Sequence, residues 1–194
     1  MNFLGHVFLS GDNPDLLFGN YIGDFVKGSK HEALPDSIQK GVLLHREIDA
    51  YTDSHAVVAE SKDRLRSRYR HYAGVIVDLY YDHFLASLWG TYHSKPLKPF
   101  TEGVYEIIRK RSDHLPQRAQ RTFYYMSQGN WMYHYREVEG IEQALSGMAR
   151  RTTFDSGMEK AGFELRSHYA QFEGEFRAFL PDIQKFVKEW LINH

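Results

Sequence analysis

Apolar positions recur three and four residues apart along almost the whole chain, and few stretches alternate. In PDSIQKGVLLHREIDAY, Ile38, Val42 and Ile48 fall at helical spacing behind the start signal Pro35-Asp36-Ser37. Asp53 or Ser54 is expected to cap a following helix that runs through Arg68. A third helix is expected from about Tyr72 to Tyr92. HSKPLKPF, with Pro96 and Pro99, breaks the pattern. Beyond it, GVYEIIRKR, PQRAQRTFYYMSQ, GIEQALSGMARR and the closing PDIQKFVKEWLINH each carry one apolar face. AGVIVDLYY is the best candidate strand, but the acidic spacing that continues from it suits a helix better. No repeat, low-complexity tract or linker interrupts this pattern. The expectation is a single all-α domain over residues 1–194, a bundle of roughly seven to ten helices.

Composition narrows the functional classes. The 194 residues are enough to bury a sizeable core, and 42% hydrophobic with 25% charged residues reads as globular. A formal net charge of −1 selects neither nucleic acid nor a membrane surface as a partner. With no cysteine, thiolate catalysis, thiolate-bound zinc and disulfides are excluded. The N-terminal MNFLGHVFLSGD lacks the basic region and apolar run of a secretory signal, and no stretch approaches membrane-spanning length. A cytoplasmic location is the expectation.

The acids are unevenly spread. Residues 1–97 hold nine of the twelve Asp and three of the thirteen Glu, together with seven of the eleven His. Asp is the poorer helix former, so its excess in a helical region asks for a reason beyond solubility. HREIDAYTD sets His45, Asp49 and Asp53 four apart, and DLYYDHFLA sets Asp78 and Asp82 four apart with His83 adjacent. Residues at this spacing share a helix face. Carboxylates held close repel unless a cation or a shared proton lies between them, and Tyr80, Tyr81, Phe84 and Leu85 argue against full solvation. A metal-centred site is the sharper reading. For any one residue an ordinary role is the better bet: Asp53 as a helix cap, Asp49 as a partner of Arg46 or Lys40, His6 as a core histidine. Asp24, set among apolar and glycine neighbours, is harder to dismiss, because burying an unpaired carboxylate is costly.

NFLGHVFLS, GNYIGDFVKG, LLHREIDAYTDSH, VDLYYDHFLASLW and YREVEGIEQALSGMARRT, in that order and at that spacing, resemble the acyl carrier protein phosphodiesterases. The resemblance implies a manganese-dependent hydrolase that removes 4′-phosphopantetheine from holo acyl carrier protein. It also implies a relationship to the helical HD phosphohydrolases. Carried onto this chain, the motif positions are His6, Asp24, His45, Asp49, Asp53, Asp78, Asp82 and His83. Phe8 stands where the family motif usually has a second histidine, and Asp82-His83 reverses the His-Asp order of the wider superfamily; His55 fits the pattern less firmly.

The expected division of labour gives Asp24, His45, Asp49, Asp78 and Asp82 to the metal, with His83, or secondarily His6, moving a proton to the leaving serine oxygen. Oxygen-rich ligands favour manganese, or magnesium, over a thiolate-type zinc site. SKDRLRSRYRHY places Arg64, Arg66, Arg68 and Arg70 between the two acidic motifs, where they are expected to bind an acidic carrier protein or its phosphate. Two rival readings remain. One is a phosphohydrolase of nucleotides or other small phosphate esters; the other is a non-catalytic helical module that binds acidic proteins.

Overall fold

A computed structural model describes residues 1–194, and it is helical throughout, with no strand. Its α-helices in chain order are α1 (Phe3–Leu9), α2 (Pro14–Ile22), α3 (Asp36–Ser54), α4 (Ala56–Tyr69), α5 (Ala73–Ser87) and α6 (Trp89–Tyr92). They continue with α7 (Leu97–Arg109), α8 (Gln117–Gly129), α9 (Trp131–His134), α10 (Val138–Ala149), α11 (Gly162–Ser167) and α12 (Tyr169–Asn193). The number exceeds the expected seven to ten because α6 and α9 are single turns, too short to leave a periodic signal.

Three local expectations are corrected. His55, not Asp53 or Ser54, precedes the first turn of α4, and its side chain caps nothing. Asp53 instead meets the Lys62 ammonium at 2.7 Å. The helix expected to reach Tyr92 ends at Ser87, where Leu88 leaves helical geometry before α6 begins. Pro181 does not open the closing helix but lies inside α12. Proline removes one N–H and disturbs one turn, whereas Phe172, Phe176, Phe179, Leu180, Ile183 and Val187 bury the same helix on both sides of it.

The core is organised around α5, which is buried without interruption from Leu79 to Ala86. Helices α4, α12, α10 and α1 all pack against it. Aromatic side chains fill the α5–α12 seam: Tyr80 meets Phe172 at 4.9 Å between ring centres and Tyr81 meets Phe176 at 5.8 Å. Each such ring buried contributes about 1.5–3 kcal/mol by removal from water.

The closest helix crossing is that of α2 on α3. A Cβ at Gly19 would stand 2.1 Å from the Ile38 carbonyl oxygen, and one at Gly41 would stand 2.4 Å from that of Leu16. Only glycine at both positions permits this approach. It brings the backbone of α2 against the face of α3 that carries His45.

Candidate functional site

Helices α1, α2 and α3 bring His6, Asn20, His45 and Asp49 to one place. His6 and His45 are both 4% exposed, and their rings stack with centres 4.0 Å apart. Asp49, one turn after His45, holds one carboxylate oxygen 3.1 Å from His6 Nε2 and the other 3.2 Å from His45 Nε2. Asp24 lies 3.4 Å from His45 Nε2 and is largely exposed. Asn20 orients both rings. Its side-chain oxygen receives His6 Nδ1 at 2.8 Å and its backbone carbonyl receives His45 Nδ1 at 2.8 Å. The Asn20 amide is fixed in turn by donating to the His6 carbonyl and to Ser10 Oγ.

This arrangement fixes the chemistry. Both Nδ1 atoms face oxygens that can only accept, so both rings carry hydrogen at Nδ1. Each neutral ring then presents an Nε2 lone pair to the Asp49 carboxylate, which is repulsive unless a proton or a metal ion intervenes. Without an ion, a proton on His45 does so for that ring. Burial lowers the His45 pKa, but the bonds to Asp24 and Asp49 outweigh it and raise it to about 9. His6 moves down, through burial and the charge of His45. Burial pushes Asp49 up, yet its bonds to the two imidazoles leave it well below the ordinary carboxylate range. The bond to His45 also holds Asp24 down.

A divalent ion fits the same point. The ligand atoms of His6, His45 and Asp49 lie within 4.8 Å of one another, and buried His45 Nε2 has only the Asp24 and Asp49 carboxylates within reach. Two imidazoles whose far nitrogens are anchored, together with carboxylate oxygen, form a donor set suited to a first-row divalent ion.

Other expected site residues have different surroundings. Asp78 and Asp82, expected as ligands, do face one way, but toward the start of α1. Asp78 holds the N-terminal ammonium at 2.8 Å. Asp82, fully buried, accepts the backbone N–H groups of Asn2, Leu4 and Gly5 at 3.1, 2.8 and 3.0 Å. The paired carboxylates are neutralised, as their spacing requires, by an ammonium and the positive end of a helix. Burial pushes the Asp82 carboxyl up to about 7, opposed by that ammonium and the three N–H donors. His83, expected to move a proton, meets the Tyr135 carbonyl through Nδ1 at 2.8 Å and the Tyr169 hydroxyl through Nε2 at 2.9 Å. Both its nitrogens are thus engaged away from the His6–His45–Asp49 group.

The expected substrate arginines are also elsewhere. Arg64 pairs with Glu175, Arg66 with Asp63 and Arg68 with Glu164. Arg64 also lies 5.3 Å over the Phe172 ring. Arg70 adopts φ +50 where α4 ends. Helix α4 is packed on α12, whose Glu175 pairs with Arg64.

A cleft of about 1270 Å³ opens beside the cluster, with His6, Asp24 and Asp49 in its wall. Phe3, Phe25, Trp131 and Met148 give it apolar surface, and Arg150 and Arg151 supply its cations. None of Arg64, Arg66, Arg68 and Arg70 lines it. The two arginines that do line it come from the motif ending GMARRT, but nothing in the sequence placed that motif in one cleft with His6. Asn20 was likewise inside a recognised motif without being singled out.

No helix is long and apolar enough to cross a membrane. A family model described as acyl carrier protein phosphodiesterase matches residues 1–183. The acyl carrier protein phosphodiesterase of Escherichia coli O6:H1 is 32% identical over 182 residues, covering 93% of this chain and 94% of that protein. The acyl carrier protein phosphodiesterase of Klebsiella pneumoniae (strain 342) is 31% identical over 189 residues, covering 97% of this chain and 98% of that protein. No solved structure matches. With full-length similarity to such relatives and a cluster of imidazoles and carboxylates at its cleft, the chain belongs to the acyl carrier protein phosphodiesterase family.

Proposed function

We propose that this chain hydrolyses the phosphodiester bond joining 4′-phosphopantetheine to a serine of holo acyl carrier protein, releasing apo carrier protein and 4′-phosphopantetheine. The observation that carries the reading is the His6–His45–Asp49 cluster in the wall of a cleft large enough for an extended prosthetic arm. The family membership supplies the substrate. His6, His45 and Asp49, with Asp24 beside them, would hold manganese or magnesium. Such an ion lowers the pKa of water and offsets the charge of the phosphoryl oxygens.

The residues themselves do the rest. Asn20 locks both imidazoles in one tautomer, so that their Nε2 atoms serve as ligands without rearrangement. Asp49 holds the two rings together. Asp24, exposed toward the cleft, is the carboxylate available to hold the attacking water by a hydrogen bond. Phe3, Phe25 and Trp131 give the arm apolar surface and exclude bulk water from part of the cleft. The use of a helical His/Asp donor set also supports kinship with the HD phosphohydrolases.

Incubation with holo carrier protein and manganese, followed by mass spectrometry of the intact carrier, tests the reading. Loss of the phosphopantetheine mass is expected, and both chelation and Asp49→Asn should stop it. An unchanged carrier alongside rapid hydrolysis of a nucleotide or another small phosphate ester would assign the chain to that substrate class instead.

A further inference from the structure

The ionised groups of the cleft sort into those with partners and those without. Asp53 is neutralised by Lys62 at 2.7 Å and Asp78 by the N-terminal ammonium at 2.8 Å. Glu139 and Glu142 share Arg166, each at 2.6 Å. Asp24 and Asp49 sit with the two imidazoles. Arg150 and Arg151 remain. Both are exposed, both line the cleft, and neither guanidinium meets a carboxylate or any other acceptor, whereas most arginines of the chain are ion-paired.

The end of α10 explains why positive charge is tolerated there, since a helix C-terminus carries partial negative charge. It does not use the donors. The last carbonyls of α10 are taken by backbone groups, Arg150 N bonding Ser146 O and Arg151 N bonding Met148 O. The guanidinium donors of these two cleft-lining arginines therefore have no acceptor within the protein.

Two neighbours add to this wall. Gly147 lines it one turn earlier, and nothing lies within 4 Å of the place a Cβ would occupy, so a ligand can approach the helix there. Tyr135 belongs to the same cleft, and its hydroxyl is buried without a hydrogen-bond partner. Burial keeps that phenol protonated, and the charge of Asp82 acts in the same direction. A phenol that remains protonated can donate to an anion.

We propose that Arg150 and Arg151, with the Tyr135 hydroxyl as a neutral donor in the same cleft, form an anion site that takes the phosphoryl group of a phosphate ester. Naming that ester as phosphopantetheine rests on the function proposed above; the anion site does not. The planar guanidinium matches two phosphoryl oxygens at once, which a lysine cannot do. The cleft then has one region suited to a cation and another suited to an anion, as a phosphodiester with a bound divalent ion requires.

The test is binding of inorganic phosphate to chelator-treated protein, followed by calorimetry, so that no metal contributes. The unaltered chain should bind phosphate. Arg150→Gln and Arg151→Gln should each weaken it roughly tenfold or more, with Arg151→Lys recovering only part of the loss. Arg118 is exposed and unpaired but outside the cleft, so Arg118→Gln should leave the affinity unchanged. Tyr135→Phe should weaken phosphate severalfold without lowering Tm, because it removes an unpartnered buried hydroxyl. An unaltered chain that binds no phosphate, or an equal loss in Arg118→Gln, overturns the site, and unchanged affinity in Tyr135→Phe removes Tyr135 from it. Turnover of holo carrier protein is measured in parallel. Phosphate binding that depends on the arginines, without carrier turnover, refutes the proposed function and keeps the site. Turnover with phosphate affinity indifferent to the arginines does the reverse.

Discussion

At the level of single residues, one asparagine sets the state of two histidines. Removing it in Asn20→Ala leaves His6 Nδ1 without its acceptor and Ser10 Oγ without its donor. Divalent-ion affinity should fall about 10–100-fold, as is usual when a ligand's orienting partner is lost. Manganese titration by electron paramagnetic resonance measures this, and unchanged affinity would remove Asn20 from the site. A second expectation concerns protons. His45 is raised from 6.5 to about 9, so its proton stabilises the metal-free fold fully below pH 6.5. That contribution fades as pH rises through about 9. Urea unfolding in chelator across this range should show a loss of up to about 3 kcal/mol, and Asp49→Asn should flatten the profile. His45 and Asp49 were legible in the sequence because four-residue spacing announces a shared face, Asp24 because a carboxylate among apolar and glycine neighbours is costly to bury, and His6 only through the family motif. Asp78 and Asp82 gave the same signal but meet the N-terminal ammonium and the first N–H groups of α1, because spacing reveals that a face is shared but not what lies opposite. Asn20 was illegible for a related reason: half of its contribution is a backbone carbonyl, which every residue has.

Individual helices were legible where periodicity was long and lost where packing decided the outcome. Helix α3 begins directly after Pro35 as its start signal implies. The break at Leu88 and the passage of α12 through Pro181 follow from tertiary contacts that no local pattern encodes. The role of α5 belongs to this level too. Its Asp82 caps another helix rather than its own, so the two variants Asp82→Asn and Asp49→Asn should differ in kind. An amide at position 82 turns an N–H donor toward one of the three N–H groups it must receive, at a cost of about 1–3 kcal/mol. For a chain of this size that lowers Tm by roughly 2–4 °C per kcal/mol, with or without metal. Asp49→Asn should instead lower the metal-free Tm only where the His45 proton it supports is present, below about pH 9, and should abolish the response to manganese. Matching behaviour of the two variants would mean that both serve the metal or neither does.

For the molecule as a whole, charge was the least legible property. Four arginines in one run suggested a binding surface; three of them pair with Glu175, Asp63 and Glu164, and none of the four lines the cleft. The pair lining the cleft came from a motif whose position in space only the fold supplies. Metal binding should be felt globally. Manganese at about a hundred times its Kd adds about 2.7 kcal/mol to the folded state, which should raise Tm by roughly 5–10 °C; no shift under saturating metal would mean that the cluster does not bind it. The close α2–α3 crossing carries one more consequence, for the order in which the molecule assembles. These helices are neighbours in sequence, and closing a short connection costs less entropy than recruiting a distant segment. Asn20, His45 and Asp49 can therefore come together while α10 is still unplaced. In stopped-flow refolding, capture of manganese should precede the return of phosphate binding. Simultaneous recovery of both would mark a chain that folds in one step, with neither half of the cleft existing before the other.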